Sequence, residues 1–165
     1  MIVVIDTNVI IAYLVSGSKK SSNYKVCQRV ISGTDKAYSC DKLYGELNRL
    51  LSLDPDLIEK ISLAGQREGK FFTSLDKVNP QYLNARLDPL VSQFDFIKTE
   101  SLQTDEEALR EIGNDWYLIS ICKYVPVDYI ITWNLKDILK YNVKHNIDHE
   151  VIVSPEQYME KVTRS

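Results

Sequence analysis

Val3-Val4-Ile5-Asp6-Thr7-Asn8-Val9-Ile10-Ile11 is an apolar run broken by three consecutive polar residues, the first of them a carboxylate. A short, continuous stretch of Val and Ile reads as a strand of a parallel sheet covered on both faces, and in such sheets ligands bind just beyond the carboxyl ends of the strands. Asp6 falls at that rim. Asp and Asn are also favoured helix caps, so Asp6 or Asn8 could equally serve to start a helix over Val9 to Leu14. The choice turns on whether carboxylates follow other elements in the same way.

Working outward, strand signals at Ile2 to Ile5, Ala37 to Cys40, Phe94 to Lys98, Asp128 to Thr132 and Val151 to Val153 alternate with helical patterns. Alternation of this kind predicts an α/β fold, a three-layer α/β/α domain whose central parallel sheet has about five strands. Tyr24 to Ser32 reads as a helix ending at Gly33, and Lys42 to Leu53 places Leu43, Leu47, Leu50 and Leu51 on one stripe. Asp54-Pro55 reads as the start of a further helix. Pro80 and Pro89 read as breakers around a helix over Gln81 to Leu87. Thr104 to Glu107 has the form of a capping box. With 165 residues and 44% apolar content, residues 1–165 are expected to form a single domain, with a helical arm or insertion around 54–93.

Bulk properties narrow the chemistry. No apolar run approaches the roughly 20 residues of a membrane span, and the start lacks the basic flank and apolar length of a signal peptide, so a cytoplasmic protein with no membrane partner is expected. Cys27, Cys40 and Cys122 share no metal-site spacing and read as reduced thiols in or near the core. His145 and His149 are the only histidines, too few for a zinc site or a histidine-based triad elsewhere in the chain. A net charge of −3 means that any nucleic acid is bound through a local basic patch.

Catalysis must therefore rest on carboxylates, and two more stand as Asp6 does. Glu46 lies one turn into the helix after the second strand, at the edge of its leucine stripe. Asp115 precedes the almost wholly apolar helix Trp116 to Cys122. Each has an ordinary reading, a solvated acid near a helix start or a plain cap, worth about 0.3–1 kcal/mol. Repetition across separate elements is harder to assign to capping. After the fourth strand, Thr132, Asn134 and Asp137 offer a hydroxyl, an amide and another carboxylate. Acids converging on one rim repel unless cations neutralise them, and an all-oxygen set without His or Cys suits Mg²⁺ or Mn²⁺. Such ions activate water and stabilise the leaving oxygen of a phosphodiester, which points to a metal-dependent nuclease.

Asp6-Thr7-Asn8 after the first strand, Glu46 after the second, Asp115 opening an apolar helix, and Asp128 to Asn134 together resemble the PIN domain. Ile152 to Tyr158 resembles the strand and helix that close many of these domains. The resemblance spans nearly the whole chain and is strongest to the VapC-type PIN proteins, toxin components of toxin–antitoxin pairs. It implies a Mg²⁺- or Mn²⁺-dependent endoribonuclease acting on RNA, often a homodimer and often silenced by an antitoxin protein. Residue by residue, it implies that Asp6, Glu46 and Asp115 hold metal, that Asn8 supports the first acid, and that Thr132 is the hydroxyl near the metal water. The fourth family position, often Asp, falls on Asn134, and Asp137 is the residue that could substitute for it. Lys19, Lys20, Arg49 and Lys136 are candidate RNA contacts. The segment between Gly69 and Phe94 is longer than in the small toxins.

Two rival readings have their own markers. A haloacid-dehalogenase-like phosphatase also begins with a strand ending in Asp, but it requires a second Asp two residues on, where this chain has Asn8. An inactive PIN scaffold that binds protein or RNA is favoured by Asn134 alone. A complete acid triad opposes it, because buried charge costs several kcal/mol per ion.

Overall fold

The computed structural model describes residues 1–15, 18–52, 80–102, 104, 106–145 and 151–164. Five strands, β1 (Ile2–Ile5), β2 (Lys36–Cys40), β3 (Phe94–Ile97), β4 (Tyr129–Ile131) and β5 (Ile152–Val153), form one sheet in the order β3-β2-β1-β4-β5. Every pairing is parallel, with Val4 opposite Tyr38 on one side and Ile130 on the other. The chain winds outward from β1 in one direction and, from β4, in the other. The topological switch point thus lies between β1 and β4, and in sheets of this kind ligands bind there, beyond the strands' carboxyl ends.

Alternation along the strands divides the core in two. Val3, Ile5, Ala37, Phe94, Ile131 and Val153 face one side. There they meet α1 (Thr7–Val15), α2 (Ser22–Ile31), α3 (Asp41–Leu51), α4 (Pro80–Val91) and α8 (Pro155–Arg164). Val4, Cys40, Ile130 and Ile152 face the other side, against α5 (Glu106–Ile112), α6 (Trp116–Tyr124) and α7 (Leu135–His145). Successive residues of β1 are buried on opposite faces, which is why its apolar run is unbroken. This is the expected three-layer α/β/α arrangement. Cys27, Cys40 and Cys122 are free thiols.

Local signals set the element ends. Ser21 caps α2 by accepting the Tyr24 amide at 3.2 Å, and the helix closes on Gly33, whose φ of +72° suits a residue without a Cβ. Gly113, at φ +59°, turns the chain from α5 into the short 3₁₀ turn Gly113–Asp115 that precedes α6. Pro80 opens α4 as expected, but Pro89 does not end it. The helix runs on to Val91 because Leu90, fully buried beside Leu83 and Leu87, anchors its last turn against α1 and α2. The expectation of a breaker at Pro89 is corrected accordingly. This described part of the 54–93 segment is therefore packed on the sheet layer. The helix expected at Asp54-Pro55 lies outside the described residues, and so does position 105 within the expected Thr104 box.

At the amino end of the sheet a second polar feature ties the layers together. Asp35, buried just before β2, accepts both the Nε and an Nη of Arg29 from α2, at 2.6 and 2.9 Å, and the Tyr158 hydroxyl from α8 at 2.6 Å. Burial alone would push its carboxyl up, but the Arg29 and Tyr158 hydrogen bonds and the Arg29 charge hold it below the usual carboxylate range.

Candidate active site

Asp6 leaves β1 at the switch point with its amide bonded to the Ile131 carbonyl of β4 at 3.0 Å. Its backbone carbonyl accepts the Val9 amide at 3.0 Å, so Asp6 does start α1. Its side chain has a different occupation. Oδ2 accepts the Thr132 hydroxyl at 2.6 Å and the Asn8 side-chain N–H at 2.6 Å, while among the described residues Oδ1 receives only a long contact, 3.5 Å, from the Asn8 backbone. One oxygen is thus fixed by two donors and the other is left lightly engaged.

Asn8 and Thr132 act as a clamp between β1 and β4. The Asn8 side-chain oxygen accepts the Trp133 backbone amide at 3.2 Å, and Thr132 Oγ1 accepts the Asn134 amide at 2.9 Å. The Trp133 indole donates to Asn23 Oδ1 at 2.9 Å, tying the turn after β4 to α2. Thr132 is completely buried, so its hydroxyl orients Asp6 from inside the fold.

Asp115 closes the 3₁₀ turn ahead of α6 and occupies the cap position, yet its side chain makes no capping hydrogen bond there. It accepts the Asn134 side-chain amide at 2.9 Å instead. Glu46, on α3, accepts the Thr7 hydroxyl from the first turn of α1. Asp6, Glu46 and Asp115, separated by dozens of residues in the chain, are thereby brought to one rim.

The electrostatics record that proximity. Asp6 is 3% exposed. Burial, followed by the Asp115 charge, pushes its carboxyl up to about 7; the Thr132 and Asn8 hydrogen bonds oppose this and Glu46 adds to it. Asp115 is raised by burial, lowered by Asn134, and raised by Asp137. Asp137 thus acts on Asp115 from its outer side, exposed in a cleft of about 430 Å³ shared with Glu111, Lys140 and Tyr141. Asn134, by contrast, bonds Asp115 directly.

Repulsion among close acids, all-oxygen donors, and neutral donors behind them fit a hard divalent cation. Among the described residues, no three His, Cys, Asp or Glu side chains are close enough to enclose a metal by themselves. Mg²⁺ is commonly bound through one or two carboxylates while keeping several waters, so this open set fits it better than a closed cage would. An amide at 134 also limits the charge. Asn134→Asp exchanges a donor to Asp115 for a fourth carboxylate, and is expected to lower the metal-free protein's stability by about 1–2 kcal/mol. Melting curves with EDTA and with Mn²⁺ check this: the deficit should shrink when the cation is added.

Some residues at this rim were given no role by the sequence. Thr7 and Tyr117 stand behind Glu46, and Lys42 at the start of α3 holds its ammonium 4.9 Å from the ring centre of Trp116, the neighbour of Asp115. Lys42 is thus a better-positioned cation for a phosphate than Lys19 or Lys20, which are exposed between α1 and α2. Arg49 and Lys136 are likewise exposed.

The fold and site define a doubly wound α/β domain with an acidic crevice at its switch point. The family model for the PIN domain matches residues 2–136, and the chain belongs to the PIN domain family. PIN domains are generally nucleases, which implies a nucleic-acid substrate, and they generally use divalent metals. The match covers Asp6, Glu46, Asp115, Thr132 and Asn134 and stops one residue before Asp137. No curated protein and no solved structure gave a match. No described helix is long and apolar enough to cross a membrane.

Proposed function

We propose that the protein is a Mg²⁺- or Mn²⁺-dependent endoribonuclease that hydrolyses RNA phosphodiester bonds. The observation that carries this reading is the meeting of Asp6, Asp115 and Glu46 at the switch point, close enough for the other two to raise the carboxyl of the first. Asp6, Glu46 and Asp115 would hold the cation, which supplies water activation and neutralises charge on the scissile phosphate. Thr132 and Asn8 keep the Asp6 carboxylate in one rotamer, and Asn134 does the same for Asp115. Fixed donors of this kind reduce the reorganisation that catalysis needs. Lys42 and Lys136 are assigned to the RNA backbone, where positive side chains set register without reading sequence.

As in the VapC-type proteins that the motifs resemble, the chain is read as the toxin component of a toxin–antitoxin pair. An antitoxin protein then covers the site, and the chain acts as a homodimer in the cytoplasm. The test is incubation of the purified chain with pooled labelled RNAs, single-stranded DNA and duplex DNA, in Mn²⁺, Mg²⁺ or EDTA. RNA is expected to be cut with either metal and spared in EDTA, and induced expression is expected to arrest growth. A folded chain that cuts none of these substrates with Mn²⁺ would overturn the reading and leave a nucleic-acid-binding scaffold.

A further inference from the structure

The polar triplet after β1 uses Asp6 and Asn8 at the crevice, and the residue between them points elsewhere. Thr7 is buried, and its hydroxyl has two partners, Glu46 Oε2 from α3 and the Tyr117 hydroxyl from α6, the latter at 3.3 Å. A threonine hydroxyl has one proton. Against an ionised carboxylate it must donate that proton, so the Tyr117 contact runs the other way, with Tyr117 donating to Thr7 Oγ1. Tyr117 is only 1% exposed, and a buried phenol needs a partner. The chain Tyr117 to Thr7 to Glu46 thus has a fixed direction and ends on a carboxylate oxygen.

We propose that Thr7 is a positioning residue for Glu46, oriented from behind by Tyr117, and that this pair sets how well the third acid presents itself to the divalent cation. The proposal rests on the metal-dependent reading above. α3 joins the site from the far side of β1, and Glu46 is partly exposed on it. A free glutamate there would spread over several rotamers and lose side-chain entropy on taking up a cation. The Thr7 hydroxyl removes part of that cost beforehand. Thr132, with Asn8, serves Asp6 and Asn134 serves Asp115, so each acid then has at least one neutral donor from outside its own element. Neutral donors behind metal-binding carboxylates commonly govern affinity by about 10–100-fold.

The test is Mn²⁺ affinity, read by the paramagnetic signal of the ion with no substrate present, for wild type, T7V, T7S, T7V/Y117F, E46Q, T7V/E46Q and D6N. T7V is expected to weaken binding about tenfold, and T7S, which keeps the hydroxyl, to stay close to wild type. T7V also leaves the Tyr117 hydroxyl unpaired and should melt lower; T7V/Y117F removes both polar groups and should regain stability. If Thr7 positions Glu46, Mn²⁺ affinity stays weak in T7V/Y117F although stability returns, and T7V/E46Q binds no worse than E46Q alone. Recovery of affinity together with stability, or losses that simply add in T7V/E46Q, would overturn the proposal. Mn²⁺ binding that D6N abolishes and T7V leaves intact would sink this inference alone. A wild type that binds no Mn²⁺ would sink the metal reading with it.

Discussion

Asp6→Asn should reduce metal-dependent RNA cleavage by about 10³-fold or more, while making the metal-free protein more resistant to heat above pH 7. The loss follows from chemistry: the cation's charge stabilisation is worth several kcal/mol, and each 1.36 kcal/mol is a factor of ten in rate. The gain follows from linkage. The Asp6 carboxyl rises from an ordinary 3.8 to about 7 in the fold, so the fold favours its protonated form. The stability associated with that proton is fully present below pH 3.8 and is lost as pH rises through about 7. Ionised Asp6 therefore costs on the order of 4 kcal/mol in the metal-free protein at high pH. Asn keeps an acceptor for Thr132 and Asn8 and never ionises. Melting curves in EDTA below and above pH 7 should show the wild type losing stability as pH rises and the variant holding nearly level. Equal slopes for both, or cleavage by the variant with Mn²⁺, would defeat the assignment of Asp6.

The second large effect lies at the other end of the sheet. Arg29→Met should cost about 3 kcal/mol, since it strands Asp35, whose side chain is 1% exposed, without its bidentate partner. Combining it with Asp35→Asn should recover much of the loss, because the uncompensated charge is then gone. The pH dependence has the opposite sign to that of Asp6. Asp35 is held below the usual range, so its contribution is present above an unfolded value of about 3.9 and is lost as pH falls below that. Acid titration monitored by circular dichroism should show this component in the wild type and not in the double variant. Mn²⁺ affinity should be the same in all three, as the pair sits at the amino ends of the strands. An Arg29→Met protein as stable as wild type would show that Tyr158 and the Met1 amino group, 3.3 Å from Oδ1, are enough to satisfy Asp35.

What could be read from residue order tracks the range of the forces involved. The run Val3 to Ile5 was legible because burial on both faces removes the usual alternation, and that pattern is local. Asp6 was legible as a charge set at the end of such a run. The crossing of Pro89 by α4 was not, because it depends on Leu90 meeting α1 and α2, far earlier in the chain, and tertiary packing there outweighs the local penalty of proline. At the site, types and spacing suggested Glu46, Asp115 and Asn134, but only the fold shows that Asp115 gives up capping for Asn134 and that Asp137, exposed on α7, acts on Asp115 through its charge. Thr7 was read only as part of the Asp6-Thr7-Asn8 run, with no role of its own, for a plain reason. A threonine beside an aspartate at a helix start looks like an ordinary turn residue, and its partners lie 39 and 110 positions away.

The strand order β3-β2-β1-β4-β5 places the first strand at the centre and completes its flank only with β4. Asp6 is made early, yet the hydroxyl that orients it is Thr132, and Asp115 and its amide Asn134 also come from the last third of the chain. A growing polypeptide therefore displays no assembled cutting centre until most of its length has been synthesised. On the proposed ribonuclease reading, half-made copies would then be harmless to nearby messages, including the one being translated.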